Sequence, residues 1–260
     1  MLNRISAAAS PRYQVPGGPA LDYQAGYQGG SQSPVQTGVT DVMTLDDVVV
    51  KTVTLLGLTS LVAAITWVVA PLESLYPIWI AAALVGFVVG MIISFAQVTN
   101  PIVIGAYAII EGVLLGAVSK AYDTRWPGIV ASAVIATLAV FFVMAALYKF
   151  RVIRATPRFM KVVIGITTGL MVVMLVNFVI FLFTGSVGPL RNGGPIAIIF
   201  SLICIVVAAL MFVVSFRQIE DGIRAGLPRR FGWLGAFGIL VEIVWMYLEF
   251  LRLLSYFSED

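Results

Sequence analysis

Seven apolar runs follow one another along this chain, near residues 48–70, 77–95, 101–121, 128–149, 160–184, 195–217 and 231–257. Each is long enough to cross about 30 Å of hydrocarbon at about 1.5 Å per residue. Lipid offers backbone amides no hydrogen-bond partner, so a segment that crosses it must be helical or belong to a closed barrel. Runs of this length predict helices. Only 11% of the residues are charged and 60% are hydrophobic, whereas a soluble protein carries about 25% charged residues. The expected fold is an all-α membrane protein of seven transmembrane helices whose main partner is the lipid bilayer.

The punctuation agrees. Pro71, Pro77, Pro101, Pro127, Pro157, Pro189, Pro195 and Pro228 fall between the runs or at their starts, where proline costs least. Thr44, followed three residues later by Asp47, reads as an N-cap for the first helix. The connections are short, so neighbouring spans run antiparallel. Residues 1–43 are rich in Gly, Pro, Gln, Ser and Tyr, with almost no aliphatic run. Such a segment buries too little surface to offset its ordering entropy, and a disordered tail is expected there, preceding a membrane domain of residues 44–260.

Orientation is read from Lys and Arg. Twelve of the sixteen lie in the tail, near the start of the first span or around the loops 2–3, 4–5 and 6–7, and four (Lys120, Arg125, Arg191 and Arg252) lie toward the other side. The positive-inside rule then puts the N-terminus in the cytoplasm and the C-terminus outside, in a cell (inner or plasma) membrane. The net charge of +3 is topological in origin and gives no reason to expect a nucleic-acid partner. The chain has no His and a single Cys, Cys204 in an apolar run. It shows no nucleophile–base pair and no metal-binding cluster, and no aspartate lies inside any of the seven runs. Neither an enzyme nor a cofactor is expected.

The glycines of GFVVG (86–90), EGVLLG (111–116) and GWLGAFG (232–238) suit close helix approach in lipid. The informative residues are the ionisable ones. Glu111 lies in the third run, and Glu242, Glu249 and Arg252 lie in the seventh. Each such group at the bilayer centre costs roughly 2.5 kcal/mol or more, so it must face protein or water. Glu242 and Glu249 are seven residues apart and share one helix face to within about 20°. Arg252 follows Glu249 by three residues, close enough to pair. A helix with this stripe belongs inside the bundle, with Glu111 a candidate second wall. Carboxylates there can couple protonation to opening or to passage of a cation. Two or three of them give transient contacts, as Glu249 and Glu242 would to calcium, and not a storage site, which takes six or more oxygens.

Four stretches, MTLDDVVVKT, YAIIEGVLLGAVSKAY, FRQIEDG and VWMYLEFLRLLSYF, resemble, in order, the bacterial branch of the transmembrane Bax inhibitor motif family. The resemblance covers residues 43–257. It implies a seven-helix fold with the last helix among the other six, and a pH-sensitive calcium leak. Proton sensing in that family uses two aspartates, one at the end of span 6 and one in span 7. Other members are linked to stress survival and to control of a membrane protease, which would make a membrane protein the partner. The span 7 acid corresponds to Glu249 through Tyr247-Leu248-Glu249, the match preferred on motif. Aligned instead on the family's terminal Leu-Leu-Arg stretch, it corresponds to Glu242, which is better placed by depth. The span 6 position, four residues before Ile219, is Ser215, which does not titrate near neutrality. Glu220 and Asp221, one turn on, are candidate substitutes, and Arg217 is a candidate partner for either span 7 glutamate.

Overall fold

The structure, a computed structural model, describes residues 41–185, 188 and 190–258. Its elements are α1 (Leu45–Val69), a 3-10 turn (Leu72–Ser74), α2 (Leu75–Ala96), α3 (Pro101–Arg125), α4 (Ile129–Lys149), α5 (Pro157–Thr184), α6 (Pro195–Arg224) and α7 (Phe231–Phe257). Each of the seven α-helices is long and apolar enough to span a membrane. The expectation of a disordered tail falls on residues 1–40, outside the described residues. Asp41–Met43, counted with the tail in the sequence, lie among the described residues and bond to the α6–α7 loop, as shown below.

Helix starts follow local chemistry. The Thr44 side chain accepts from the Asp47 amide at 3.2 Å and caps α1, as the sequence indicates. Asn100 caps α3 and Thr156 caps α5 in the same way, each followed by a proline at the first helical position. These prolines lose nothing, since the first amides of a helix have no partner within it.

Two helices outrun the apolar windows. α3 ends at Arg125 and α6 at Arg224, which brings Asp123 and Asp221 into their closing turns. The polar end of α6 is held by its own side chains: Arg217 Nε lies 2.9 Å from Asp221, and Arg224 lies 2.5 Å from Glu220. Such spacings meet on one helix face. The 30 residues of α6 span about 45 Å at 1.5 Å per residue. That is more than about 30 Å of hydrocarbon needs.

α7 packs against α1, α3, α4 and α6, while α2 lies on α3 and α5 lies on α6. The last helix is therefore central, walled by four neighbours. Its own Leu240, Met246 and Leu251 are fully buried, as is Phe212 of α6. By contrast, the one buried residue of α5 is Val163, as expected of an outer helix bathed in lipid.

α1 and α3 meet at close range. A Cβ added at Gly112 would lie 2.7 Å from the Thr59 carbonyl oxygen, and one at Gly116 only 2.5 Å from the Ala63 carbonyl oxygen. Gly165 has open space around it. Gly116→Ala is expected to lower stability by about 1–3 kcal/mol through overpacking against backbone. Gly165→Ala, on the lipid-facing helix, gains helix propensity and is expected to be neutral or stabilising. Thermal unfolding in detergent micelles separates the two.

Candidate functional site: two buried carboxylates on the last helix

α7 carries Glu242 and Glu249 two turns apart, and the bundle treats them differently. Glu242 is 4% exposed. The Ser215 hydroxyl of α6 donates to its Oε1 at 2.5 Å, and its Oε2 has no partner. No Lys or Arg side chain forms an ion pair with it among the described residues. One turn earlier stands Gly238, where an added Cβ would sit 3.6 Å from Ser215 Oγ. The absent side chain leaves room beside the serine.

A cavity of about 130 Å³ runs from this point toward the face that carries the start of α1 and the α6–α7 loop, called here the near face. Its lining includes Ser215, Gly238, Gly235, Gly222, Ile219 and Met43. Glu242 thus lies just behind the deep end of a cavity, reached through the Ser215 hydroxyl.

Glu249 is 1% exposed and fully engaged. Arg191, from the α5–α6 connection, grips it with two parallel bonds of 3.1 Å each. Arg252 adds a third bond at 2.8 Å. The fork of a guanidinium matches a carboxylate in this way. Arg191 also lies over the Phe200 ring, 5.2 Å from its centroid. This cluster closes the opposite face of the bundle with two cations for one anion.

The Glu249–Arg252 pairing expected from their spacing is present. Arg191, which completes the cluster, was visible in the sequence only as an isolated cation on the sparsely charged side. Both Glu249 oxygens are committed to arginines in this arrangement, so the expected calcium contact from Glu249 has no free oxygen. Glu242 Oε2 is the uncommitted one. Ser215, the position expected to face the span 7 acid, faces Glu242 and not Glu249.

The remaining candidates lie elsewhere. Glu111 is buried against α2: a Cβ on Gly86 would come 3.0 Å from its Oε1, and its Oε2, like that of Glu242, has no partner. It faces α2 and is not joined to the Ser215–Glu242 pair. Glu220 accepts from Tyr148 and Arg224, and Asp221 accepts from Arg217. These four charged residues of α6, Arg217, Glu220, Asp221 and Arg224, pair with one another at the helix end. Arg217 therefore pairs with neither Glu242 nor Glu249, and Glu220 and Asp221 do not take the place of Ser215. Among the described residues no group of three or more His, Cys, Asp or Glu side chains is arranged to hold a metal ion.

Sequence reasoning gave Met43 no structural role, although it opens the stretch MTLDDVVVKT. It sits at 4% exposure beside the cavity, in a stretch that looks like tail. The one available signal was a large apolar residue immediately before an N-cap, a position that often packs back on its helix.

A bundle of seven membrane-crossing helices, with a carboxyl-bearing helix at its centre, defines a multi-pass membrane protein with an ionisable group held away from lipid. Residues 8–259 match the family described as Bax inhibitor 1 like, and the chain belongs to that family. The match reaches into the tail, well before residue 43, where the motif resemblance begins. No match to a curated protein was found.

Proposed function

We propose that this protein forms a proton-modulated leak path for a cation, calcium being the ion its oxygen-only chemistry fits best, with Glu242 as the titrating group. One observation carries the reading: a carboxyl group 4% exposed in a membrane helix, with one oxygen free and its one partner a serine hydroxyl that lines a cavity. A packing role would use a counter-charge, as Glu249 does. Buried ionisable groups in spans mark ion and proton pathways, and hard cations take carboxylate and hydroxyl oxygens.

In this reading the ionised Glu242 attracts a cation arriving through the cavity, and the protonated form does not, so flux falls as pH is lowered. The serine at 215 holds the carboxyl in place without adding a second titrating group, so one proton governs the response. The positive-inside pattern assigns the near face to the cytoplasm of a cell membrane. No enzymatic step is involved.

Calcium flux into dye-loaded proteoliposomes tests this. Glu242→Gln keeps the shape and removes the charge. It is expected to cut flux by about tenfold, the scale of one lost charge contact, and to flatten its dependence on pH. Flux and pH response equal to the native protein's would remove the proposal.

A second reading is favoured by the Arg191–Glu249–Arg252 cluster, which closes the opposite face with a net positive charge. In that reading the protein is a non-conducting regulator of a stress response or of a membrane protease, and its carboxylates are structural. Absent flux at every pH, with a membrane protease co-purifying, would favour it.

A further inference from the structure

The three residues before the first helix cap lie across the α6–α7 loop. The Met43 amide donates to the Leu227 carbonyl at 2.8 Å, and the Arg229 amide donates to the Asp41 carbonyl at 2.6 Å. Between them Val42 and Pro228 face each other in an antiparallel bridge. An ion pair fastens the Asp41 end, and its arginine is tied in turn to α1. Arg229 reaches Asp41 at 3.2 Å and Asp47 at 2.8 Å. Lys51 Nζ sits 2.5 Å from Asp47 and donates to the Arg229 carbonyl at 2.7 Å. The hydrogen bonds to Asp47 and Asp41 push the Arg229 pKa further above its ordinary value, so its charge persists at every working pH. Gly232 admits this cluster, because a Cβ there would lie 2.5 Å from Asp47 Oδ2.

The strap aims one side chain inward. An added Cβ on Gly222 would be 3.6 Å from Met43 Sδ, and one on Gly235 would be 3.7 Å from Met43 Cε. The thioether therefore lies over two glycines, on α6 and α7, that leave space for it. It lines the same cavity as Ser215 and Gly238. Methionine is unbranched and flexible, and it fills such irregular gaps without locking into them.

We propose that Asp41–Met43 is a latch that stoppers the cavity leading to Ser215 and Glu242, with the Met43 side chain as the removable plug. The inference rests on the proposed ion path for its consequence, but not for its geometry. Three features support it. The plug is apolar and stands between the near face and the carboxyl. The strap is short and ends where the helix cap begins, so it can lift without disturbing α1. Its ties are two backbone bonds and the Arg229–Asp41 ion pair, whose members are exposed, so water can replace them. Residues 1–40 are attached directly to it, so whatever draws on them pulls at the plug.

The test uses the full chain in nanodiscs, where both faces are open to reagent. Gly238→Cys in a Cys204→Ala background places a reporter thiol inside the cavity. Its rate of reaction with a positively charged, water-soluble methanethiosulfonate reads access to the cavity. Met43→Ala is expected to speed modification by about tenfold or more, as for release of a local closure, and Met43→Leu is expected to keep the native slow rate. Arg229→Gln, which loosens the strap and leaves the plug intact, is expected to speed it too. That variant keeps the inference testable if Met43→Ala does not fold. Native rates in both Met43→Ala and Arg229→Gln would overturn it. Calcium flux through the same variants in proteoliposomes separates the two proposals. Faster modification with unchanged flux keeps the latch and sinks the cation path. Raised flux with unchanged modification sinks the latch.

Discussion

Glu249→Gln is expected to be the most damaging single substitution in the last helix, lowering stability by about 3–5 kcal/mol, the range for stranding a buried charge. The carboxylate is 1% exposed and sits between two guanidiniums. Removing its charge leaves Arg191 and Arg252 facing each other with nothing to separate their like charges, next to apolar α6 and α7 side chains. The stoichiometry of two cations to one anion gives the test its internal control. Arg252→Gln leaves Arg191 and Glu249 as a balanced bidentate pair, so its effect is expected to be clearly smaller. Arg191→Gln leaves the 2.8 Å pair with Arg252 and falls between. Thermal unfolding of the three variants in one detergent gives the order. If Glu249→Gln melts with the native protein, the cluster does not hold the fold together.

The paired replacement Glu242→Met with Ser215→Ala is expected to act in the opposite direction, raising stability by about 1–3 kcal/mol while abolishing any pH-dependent flux. An unpaired buried polar atom costs about 1–3 kcal/mol, and replacing both partners of a buried hydrogen bond by apolar groups of similar shape is neutral or stabilising. Glu242 Oε2 is such an atom, and no cation offsets the burial of its carboxyl. Methionine matches glutamate in length, and alanine removes the hydroxyl that would otherwise lose its acceptor. The two glutamates are thus separated by sign: one whose loss unfolds the protein, and one whose loss tightens it. A fold that would be steadier without Glu242 keeps it for a reason other than stability. A melting temperature below the native value for the double variant would count against this.

The fold was legible because lipid leaves a chain few choices. Once seven runs exceed the hydrocarbon thickness, their helicity, their direction and the interior placing of the acidic stripe follow. The end of α6 was not legible from hydropathy, because Arg217, Glu220, Asp221 and Arg224 continue the helix in water through mutual pairing, which an apolar window does not register. The choice between Glu242 and Glu249 was undecidable along the chain. Both lie on one face, and a motif match and a depth argument pull opposite ways. What separates them is what lies across from each: Ser215 on α6 for one, Arg191 from a loop 58 residues away for the other. Pairings of that range are set by tertiary packing and leave no local pattern. The Met43 strap escaped for the same reason, since its partners are the α6–α7 loop and two glycines some 180–190 residues on.

The glycine contacts between α1 and α3 have a mechanical corollary. Where backbone touches backbone, at Gly112 on Thr59 and Gly116 on Ala63, no rotamer is available to absorb sliding, and the two helices behave as a welded beam. Any breathing of the bundle is displaced to seams cushioned by flexible side chains, chiefly those where α6 and α4 lean on α7. The rigid half sets the reference frame, and the compliant half carries the travel.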